Sequence, residues 1–170
     1  MQRSASKSYS SSGFTLPEVL ITVVAVLLFG GAAFATNQRL LLALKGQKET
    51  TAATLALQQR MESYRATSFT NLATANYVQT SIVATPTGSE GPLGGLSEQV
   101  TIGVYPADGS TPTVIQRNST YPTGTIVSTN SNLSTVKLLR VDELLSWTSA
   151  DGRPRSRQLS TIVGIGNTGP

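Results

Sequence analysis

Hydrophobic positions are concentrated in one uninterrupted run near the start of the chain. Residues 14–35 are mostly Val, Leu, Ile, Ala and Phe and carry a single charge, at Glu18. The run has about 22 residues, and roughly 20 apolar residues are enough for a helix to span a bilayer core. Residues 1–13, MQRSASKSYSSSG, are basic and Ser-rich. The pattern therefore predicts a solvated arm in the cytoplasm followed by a transmembrane segment.

After this run the pattern changes to a helical stripe. Residues 36–67 are rich in Leu, Ala, Gln, Glu, Lys and Arg, which favour helices. Apolar positions spaced at i, i+4, i+8 and i+11 form one face, made of Ala53, Leu57, Met61 and Tyr64. We therefore expect one helix over about residues 15–66, whose second half packs through this stripe against a globular head.

From residue 68 onward the chain consists of short β-favouring pieces separated by turn residues. The predicted strands are residues 77–84, 98–105, 113–117, 136–141, 144–148 and 157–163. Asp151-Gly152 predicts a tight turn before the last strand, and Trp147 is expected between the sheet and the long helix. The predicted fold class is α+β, with a long helix packed on a small antiparallel sheet.

Composition narrows the chemistry available to this head. The chain has no Cys and no His, which excludes disulfides, thiolate zinc sites and catalysis by Cys or imidazole. Thirteen basic and nine acidic residues give a charge of +4, which falls to +2 without Arg3 and Lys7. Basic residues are not clustered as in nucleic-acid-binding proteins. We therefore expect no enzyme activity, no cofactor, no metal site and no nucleic-acid partner.

Glu18 is a charge inside the apolar run and needs a partner there. A charged side chain at the centre of a membrane helix costs about 2.5–3.5 kcal/mol by insertion scales. The cost is smaller near a helix N-terminus, where the helix dipole favours negative charge. Cleavage between Gly13 and Phe14 would create an α-amine close to this carboxylate. In a bundle of subunits, the amine of one chain and the Glu18 of its neighbour would neutralise each other.

Residues 13–18, Gly-Phe-Thr-Leu-Pro-Glu, follow a short basic leader and open an apolar helix. This arrangement resembles the prepilin cleavage signature of type IV pilins and type II secretion pseudopilins. The resemblance implies that a prepilin peptidase cuts after Gly13 and N-methylates Phe14, and that Glu18 supports assembly. It implies a pilin-like fold divided into a leader at 1–13, a transmembrane or filament-core half-helix at 14–35, an amphipathic half-helix at 36–67 and a β-rich head at 68–170.

The same resemblance implies a structural role in a bacterial inner membrane. It predicts a single pass with a cytoplasmic N-terminus and a periplasmic head, followed by incorporation into a pilus or pseudopilus filament. The expected partners are the prepilin peptidase, other pilin or pseudopilin subunits, the inner-membrane assembly platform and membrane lipid. The C-terminal hairpin around Trp147 resembles that of minor subunits. Type II secretion, a retractable pilus and DNA uptake all stay open as the machine served.

Two other interpretations of the N-terminal run stay open. Residues 33–35, Ala-Phe-Ala, resemble the cleavage site of a secretory signal peptide, which would leave Thr36 as the mature N-terminus. A plain single-pass anchor would instead make the chain a membrane-anchored binding module that does not polymerise. Gly30-Gly31 stands near the place where many pilins have a proline, and adjacent glycines favour a local weakening of the helix there.

Three arginines alternate in the predicted last hairpin, at Arg153, Arg155 and Arg157. Alternation places them on one strand face. They form either a solvated face that discourages edge pairing or an electropositive patch for an acidic partner or DNA. Residues 164–169 match G-x-G-x-x-G, but the helix that a dinucleotide site needs does not follow them.

Overall fold

A computed structural model of the chain describes residues 15–166. The chain divides into two compact units, Met1–Leu41 and Leu42–Pro170. In chain order the elements are α1 (Leu16–Ala66), α2 (Phe69–Leu72), α3 (Ala75–Tyr77), a π-helical turn (Val78–Val83), β1 (Gly94–Val104), β2 (Thr113–Arg117), β3 (Thr125–Ser128), a 3₁₀ turn (Leu133–Thr135), β4 (Leu138–Thr148) and β5 (Pro154–Gly164).

Helix α1 confirms the predicted long helix, since it runs unbroken over Leu16–Ala66. Gly30 and Gly31 lie inside it, and no group lies within 4 Å of where a Cβ would stand at either position. The two glycines cost about 2 kcal/mol of helix propensity relative to alanine. They do not interrupt the helix, because good helix formers continue its hydrogen-bonded turns on both sides.

The first unit contributes the apolar part of α1. This helix lies near the N-terminus and is long and apolar enough to cross a membrane by length and composition. None of its most apolar 18-residue window is buried within the protein. The first unit is therefore compatible with a single-pass membrane anchor.

The second unit contains a five-stranded antiparallel sheet in the order β3-β2-β1-β4-β5. The sheet confirms the α+β class. Residues 113–117 form β2 as predicted, while β1 and β5 are longer than the predicted strands and include most of their residues. Residues 136–141 and 144–148, predicted as two strands, belong mainly to the single strand β4. The strand continues through Asp142-Glu143 because Glu143 keeps the inward alternation instead of breaking it.

One predicted strand is wrong. Residues 77–84 form the end of α3 and the π-helical turn Val78–Val83. Val78, Ile82 and Val83 are buried in the main core together with residues of α1, and their spacing is helical, not alternating. Their β-branched side chains favour strands only weakly on their own, so packing against the core decides the conformation.

The core of the second unit lies between α1 and one face of the sheet. The predicted stripe is confirmed, because Ala53, Leu57, Met61 and Tyr64 are all buried. Trp147 is also where the sequence predicted it, 3% exposed and packed with Ala52, Ala53 and Leu93. The head therefore uses the second part of α1 as its main packing element.

Candidate functional site

The predicted processing site lies mostly outside the described residues, because Gly13 and Phe14 precede them. Glu18 lies in the first turn of α1. Its backbone N–H donates to the carbonyl of Thr15 at 3.0 Å, and its own carbonyl accepts from the Thr22 hydroxyl at 2.7 Å. Within residues 15–166, the Glu18 carboxylate forms no ion pair. A cation that neutralises it in apolar surroundings must therefore come from beyond this range.

Apolar side chains surround α1 in the first unit on every side. Residues 26–29 are consecutive, so they point about 100° apart around the helix, and they are 65–78% exposed. Leu16, Leu20 and Phe34 are exposed as well. A helix that is apolar all round is stable only inside a large core or a membrane. This surface can therefore be buried by lipid or by other helices.

The second unit contains a buried cluster of charged side chains that sequence reasoning missed. It joins α1 to the loop before β1 and to three strands. We call it the buried charge cluster, and its members are Arg60, Glu90, Glu98, Arg117 and Glu143.

Arg60 connects α1 to the sheet and to the π-helical turn. Its Nε and Nη2 donate to the two carboxylate oxygens of Glu98 at 2.7 and 3.2 Å. Its Nη1 donates to the carbonyl of Ile82, and Nη2 donates to that of Val83 at 3.4 Å. The guanidinium therefore satisfies a buried carboxylate and two carbonyls at the end of the turn.

Arg117 supplies the second cation of the cluster. Its Nε donates to Glu98 Oε2 at 2.6 Å, and its Nη2 donates to Glu90 Oε1 at 2.7 Å. Glu90 also accepts the backbone N–H of Thr87 at 2.8 Å. Glu98 is thus held between two arginines, and each charge is satisfied by direct hydrogen bonds.

Glu143 differs from the other two glutamates because neither arginine donates a direct hydrogen bond to it. It is fully buried, and within the described residues its carboxyl oxygens have no hydrogen-bond partner. Its nearest cation is Arg60, 3.9 Å away. Burial first, and then the negative charge of Glu98, raise the pKa of Glu143 to about 10. The two arginines are then paired directly with Glu90 and Glu98.

The sequence contained a signal for this cluster. Arg60 lies on the same helical face as Leu57 and Met61, and Glu98 and Glu143 occupy inward positions of alternating strands. Charged residues are almost never fully buried unless they are paired. Three charges at core positions therefore predict a mutual ion-pair network. Because Arg60, Glu98 and Glu143 are buried, this network fixes the packing of helix, turn and strands.

A second polar contact holds α1 to the turn between β4 and β5. Glu49 is 6% exposed. Its Oε2 accepts from the Ser149 hydroxyl at 2.6 Å, and its Oε1 accepts from the Ala150 backbone N–H at 2.9 Å. The Ser149 hydrogen bond is the main cause that lowers the pKa of Glu49, so this carboxylate is ionised at neutral pH.

The turn itself confirms the prediction from Asp151-Gly152. Gly152 adopts φ = +77°, and its N–H donates to the Ser149 carbonyl at 2.8 Å. Asp151 Oδ2 lies 3.3 Å from Arg155 Nη2 and 3.9 Å from Arg153 Nε. Arg153 immediately precedes β5, whereas Arg155 lies within it, in a part of the strand that the sequence did not predict.

Arg155 and Arg157 lie opposite Trp147 and Leu145 in the β4–β5 register. They therefore share the sheet face that packs on α1, but they remain exposed at its edge. Among residues 15–166, no group of three or more acidic, His or Cys side chains is placed to hold a metal ion.

Comparisons of the chain with protein-family models, with curated proteins and with solved structures found no match. The resemblance to pilins therefore depends on residues 13–18 and on the apolar helix that follows them.

Proposed function

We propose that the chain is a structural subunit, of the minor type, in a type IV pilus or type II secretion pseudopilus. A prepilin peptidase would cleave it between Gly13 and Phe14 and methylate Phe14. The observation that carries the proposal is the two-part character of α1. The helix is surrounded by exposed apolar side chains in the first unit, and it forms the core of a sheet domain in the second.

The apolar surface supports a state in which many such helices pack together or lie in lipid. Contiguous apolar patches of this extent are rare on soluble monomers and mark interaction surfaces. The basic arm at residues 1–13 favours a cytoplasmic N-terminus, which would place the head in the periplasm. The subunit would wait in the inner membrane and then join the filament through the assembly platform.

Glu18 supports the same proposal by giving the apolar helix one polar docking point. After cleavage, the α-amine of Phe14 on one subunit can meet the Glu18 carboxylate of the next. Two unit charges 4 Å apart attract by about 4 kcal/mol at an effective dielectric constant near 20. An axial slip of one helical turn would leave both charges unpaired in apolar surroundings, so the pair would set the register between subunits.

The direct test is the mature N-terminus of the protein co-expressed with a prepilin peptidase. Intact mass and N-terminal sequencing should give methylated Phe14, and Gly13→Val should keep the leader, whereas the neighbouring Ser12→Val should not. A mature chain that begins at Thr36 would refute the proposal in favour of a signal peptide. A chain that keeps residues 1–13 and never sediments with filaments would indicate a membrane-anchored binding module.

A further inference from the structure

Four basic side chains from two distant parts of the chain lie at one end of the second unit. Lys45 and Lys48 are exposed on the first turns of α1 within this unit, which starts at Leu42. Arg153 immediately precedes β5, Arg155 lies at the start of that strand, and both are exposed as well. We call these four residues the basal basic patch.

Two contacts place the hairpin arginines beside the helix lysines. Glu49 accepts two hydrogen bonds from the turn between β4 and β5, at 2.6 and 2.9 Å. Nη2 of Arg155 lies 3.5 Å from the position that a Cβ would take at Gly46. Gly46 lies in the same helical turn as Lys45 and Lys48, so helix and strand cations share one end of the head.

The basal basic patch carries more positive charge than its surroundings neutralise. Asp151 contacts Arg155 at 3.3 Å and Arg153 at 3.9 Å. The helix carboxylate that holds the turn is already bonded to a hydroxyl and a backbone N–H. Within residues 15–166, neither Lys45 nor Lys48 forms an ion pair. Four cations therefore face two carboxylates at this end.

At the opposite end of the sheet the exposed charges are better matched. Arg140 Nη2 lies 2.9 Å from Asp142, and Arg65 Nη1 lies 3.3 Å from Glu62. Lys137 is also exposed there. The surplus of positive charge is therefore larger at the end that carries Lys45 and Lys48.

The basal basic patch follows the apolar run closely along the chain. Lys45 is only ten residues beyond Ala35. Phospholipid headgroups extend about 5–8 Å beyond the hydrocarbon core, and they attract basic groups over a further Debye length of about 8 Å at physiological salt. Basic residues this soon after a membrane span are therefore within chain reach of the membrane surface.

We propose that the basal basic patch binds the anionic phospholipid headgroups of the membrane surface while the subunit is inserted. Lys and Arg form charge-assisted hydrogen bonds with phosphate oxygens, and basic groups beside a membrane span are attracted by anionic lipid over about a Debye length. The inference rests on the membrane-inserted state of the proposed function. The patch holds the head on the bilayer before assembly, and the contact breaks when the subunit leaves the membrane.

The test uses the full chain, which has no native cysteine, reconstituted into vesicles. Ala150→Cys places a reporter in the exposed β4–β5 turn, and Ala107→Cys places one in the exposed turn after β1. The measured quantity is the rate at which a membrane-impermeant maleimide labels each cysteine. Vesicles of phosphatidylcholine alone are compared with vesicles containing about one third phosphatidylglycerol.

Anionic lipid should slow labelling of Cys at position 150 about threefold and leave position 107 unchanged, and about 0.5 M NaCl should abolish the difference. Lys48→Gln/Arg153→Gln should remove the protection. Lys137→Gln/Arg140→Gln, which removes the same number of charges at the other end, should keep it. Equal labelling rates at position 150 in the two lipid mixtures would overturn the proposal. Protection by duplex DNA without protection by anionic vesicles would also overturn it, in favour of a nucleic-acid surface.

Flotation of the same vesicles separates this inference from the proposed function. A chain that does not float with vesicles has no membrane-inserted state, and both proposals then fail. A chain that floats and forms filaments with the other subunits, yet labels equally in both lipid mixtures, refutes the lipid contact alone.

Discussion

The buried charge cluster predicts that two fully buried glutamates respond oppositely to the same isosteric substitution. Glu98→Gln removes the anion that two arginines share, and breaking a buried ion pair in this way costs about 3–5 kcal/mol. Glu143→Gln replaces a carboxyl that is already neutral at pH 7. In the folded state neither charge nor shape changes, but the unfolded glutamate ionises above its pKa near 4.3 and glutamine does not. Glu143→Gln should therefore match the parent within about 1 kcal/mol near pH 4 and be the more stable of the two at pH 7.

The pH dependence makes the contrast sharper. The folded-state pKa of Glu143 is about 10, whereas an unfolded glutamate has a pKa near 4.3. The folded state therefore binds a proton that the unfolded state releases, and its stabilising effect is present in full only below the unfolded pKa. As pH rises from about 5 towards 10, the free energy of unfolding should fall by about 1.4 kcal/mol per unit from this group. Glu143→Gln should remove that slope, so its advantage in stability over the parent chain should be larger at pH 9 than at pH 7.

The single tryptophan provides the assay. Trp147 is 3% exposed in the native head, so its fluorescence should report urea unfolding of the full chain in a nonionic detergent. Unfolding curves of the parent, Glu98→Gln and Glu143→Gln are measured at several pH values between about 6 and 9. The reasoning is refuted if the free energies of unfolding of the parent and Glu143→Gln change in parallel with pH over that range. It is also refuted if the two substitutions destabilise the protein equally at pH 7.

Three further predictions concern other parts of the chain. Glu49→Gln should weaken the contact with the β4–β5 turn by about 1–3 kcal/mol. Because the folded pKa of Glu49 is lowered, its contribution to stability should disappear as pH falls through that pKa. If the free energies of unfolding of the variant and the parent fall in parallel below pH 5, this prediction is wrong. Glu18→Ala should be cleaved normally but be depleted from sheared filaments by about tenfold or more, whereas the exposed Glu62→Ala should incorporate normally. In urea unfolding, Gly124→Ala should destabilise the head more than Gly152→Ala does. Both glycines have φ near +80°, a conformation that costs about 1–2 kcal/mol for alanine. A Cβ at Gly124 would also lie 3.2 Å from Val83, whereas a Cβ at Gly152 would have open space.

The main elements of this fold were predictable because their signals are local and repeated. The long helix follows from the apolar run and the stripe at Ala53 to Tyr64, and β2 from a short alternating segment. The conformation of residues 77–84 was not predictable from propensity. Its β-branched residues read as a strand, whereas packing of Val78 and Val83 on the core selects helical spacing. Non-local contacts decide such short segments.

Some of the site residues were predictable from the sequence and others were not. Glu18 was predictable from the sequence, because a carboxylate inside an apolar run is energetically unfavourable and therefore indicates a functional role. Arg60 and Glu98 stand at inward positions but are far apart in the chain, so the sequence indicates a buried ion-pair network without showing which residues pair; their three-dimensional proximity shows that. The basal basic patch is similar, because α1 and β5 contribute to it from distant segments.

The contacts that the acidic side chains make support intermolecular docking through Glu18. All nine acidic residues lie within the described range. Eight of them accept hydrogen bonds, contact a cation or, like Glu143, lie near one while protonated. Within residues 15–166, the Glu18 carboxylate alone has no such contact, and it lies at the start of the apolar run.

In the proposed membrane-inserted subunit, no residue of the range 15–166 would neutralise this carboxylate near the start of the apolar helix. If a neighbour's α-amine relieves about 1.4 kcal/mol, less than the cost at a helix centre, assembly is favoured by roughly tenfold at this contact alone. The same cost weighs against any axial register in which the amine and Glu18 do not meet. Under the proposed function, the Glu18 carboxylate would then both favour the transfer of subunits from the membrane into the filament and fix their axial spacing there.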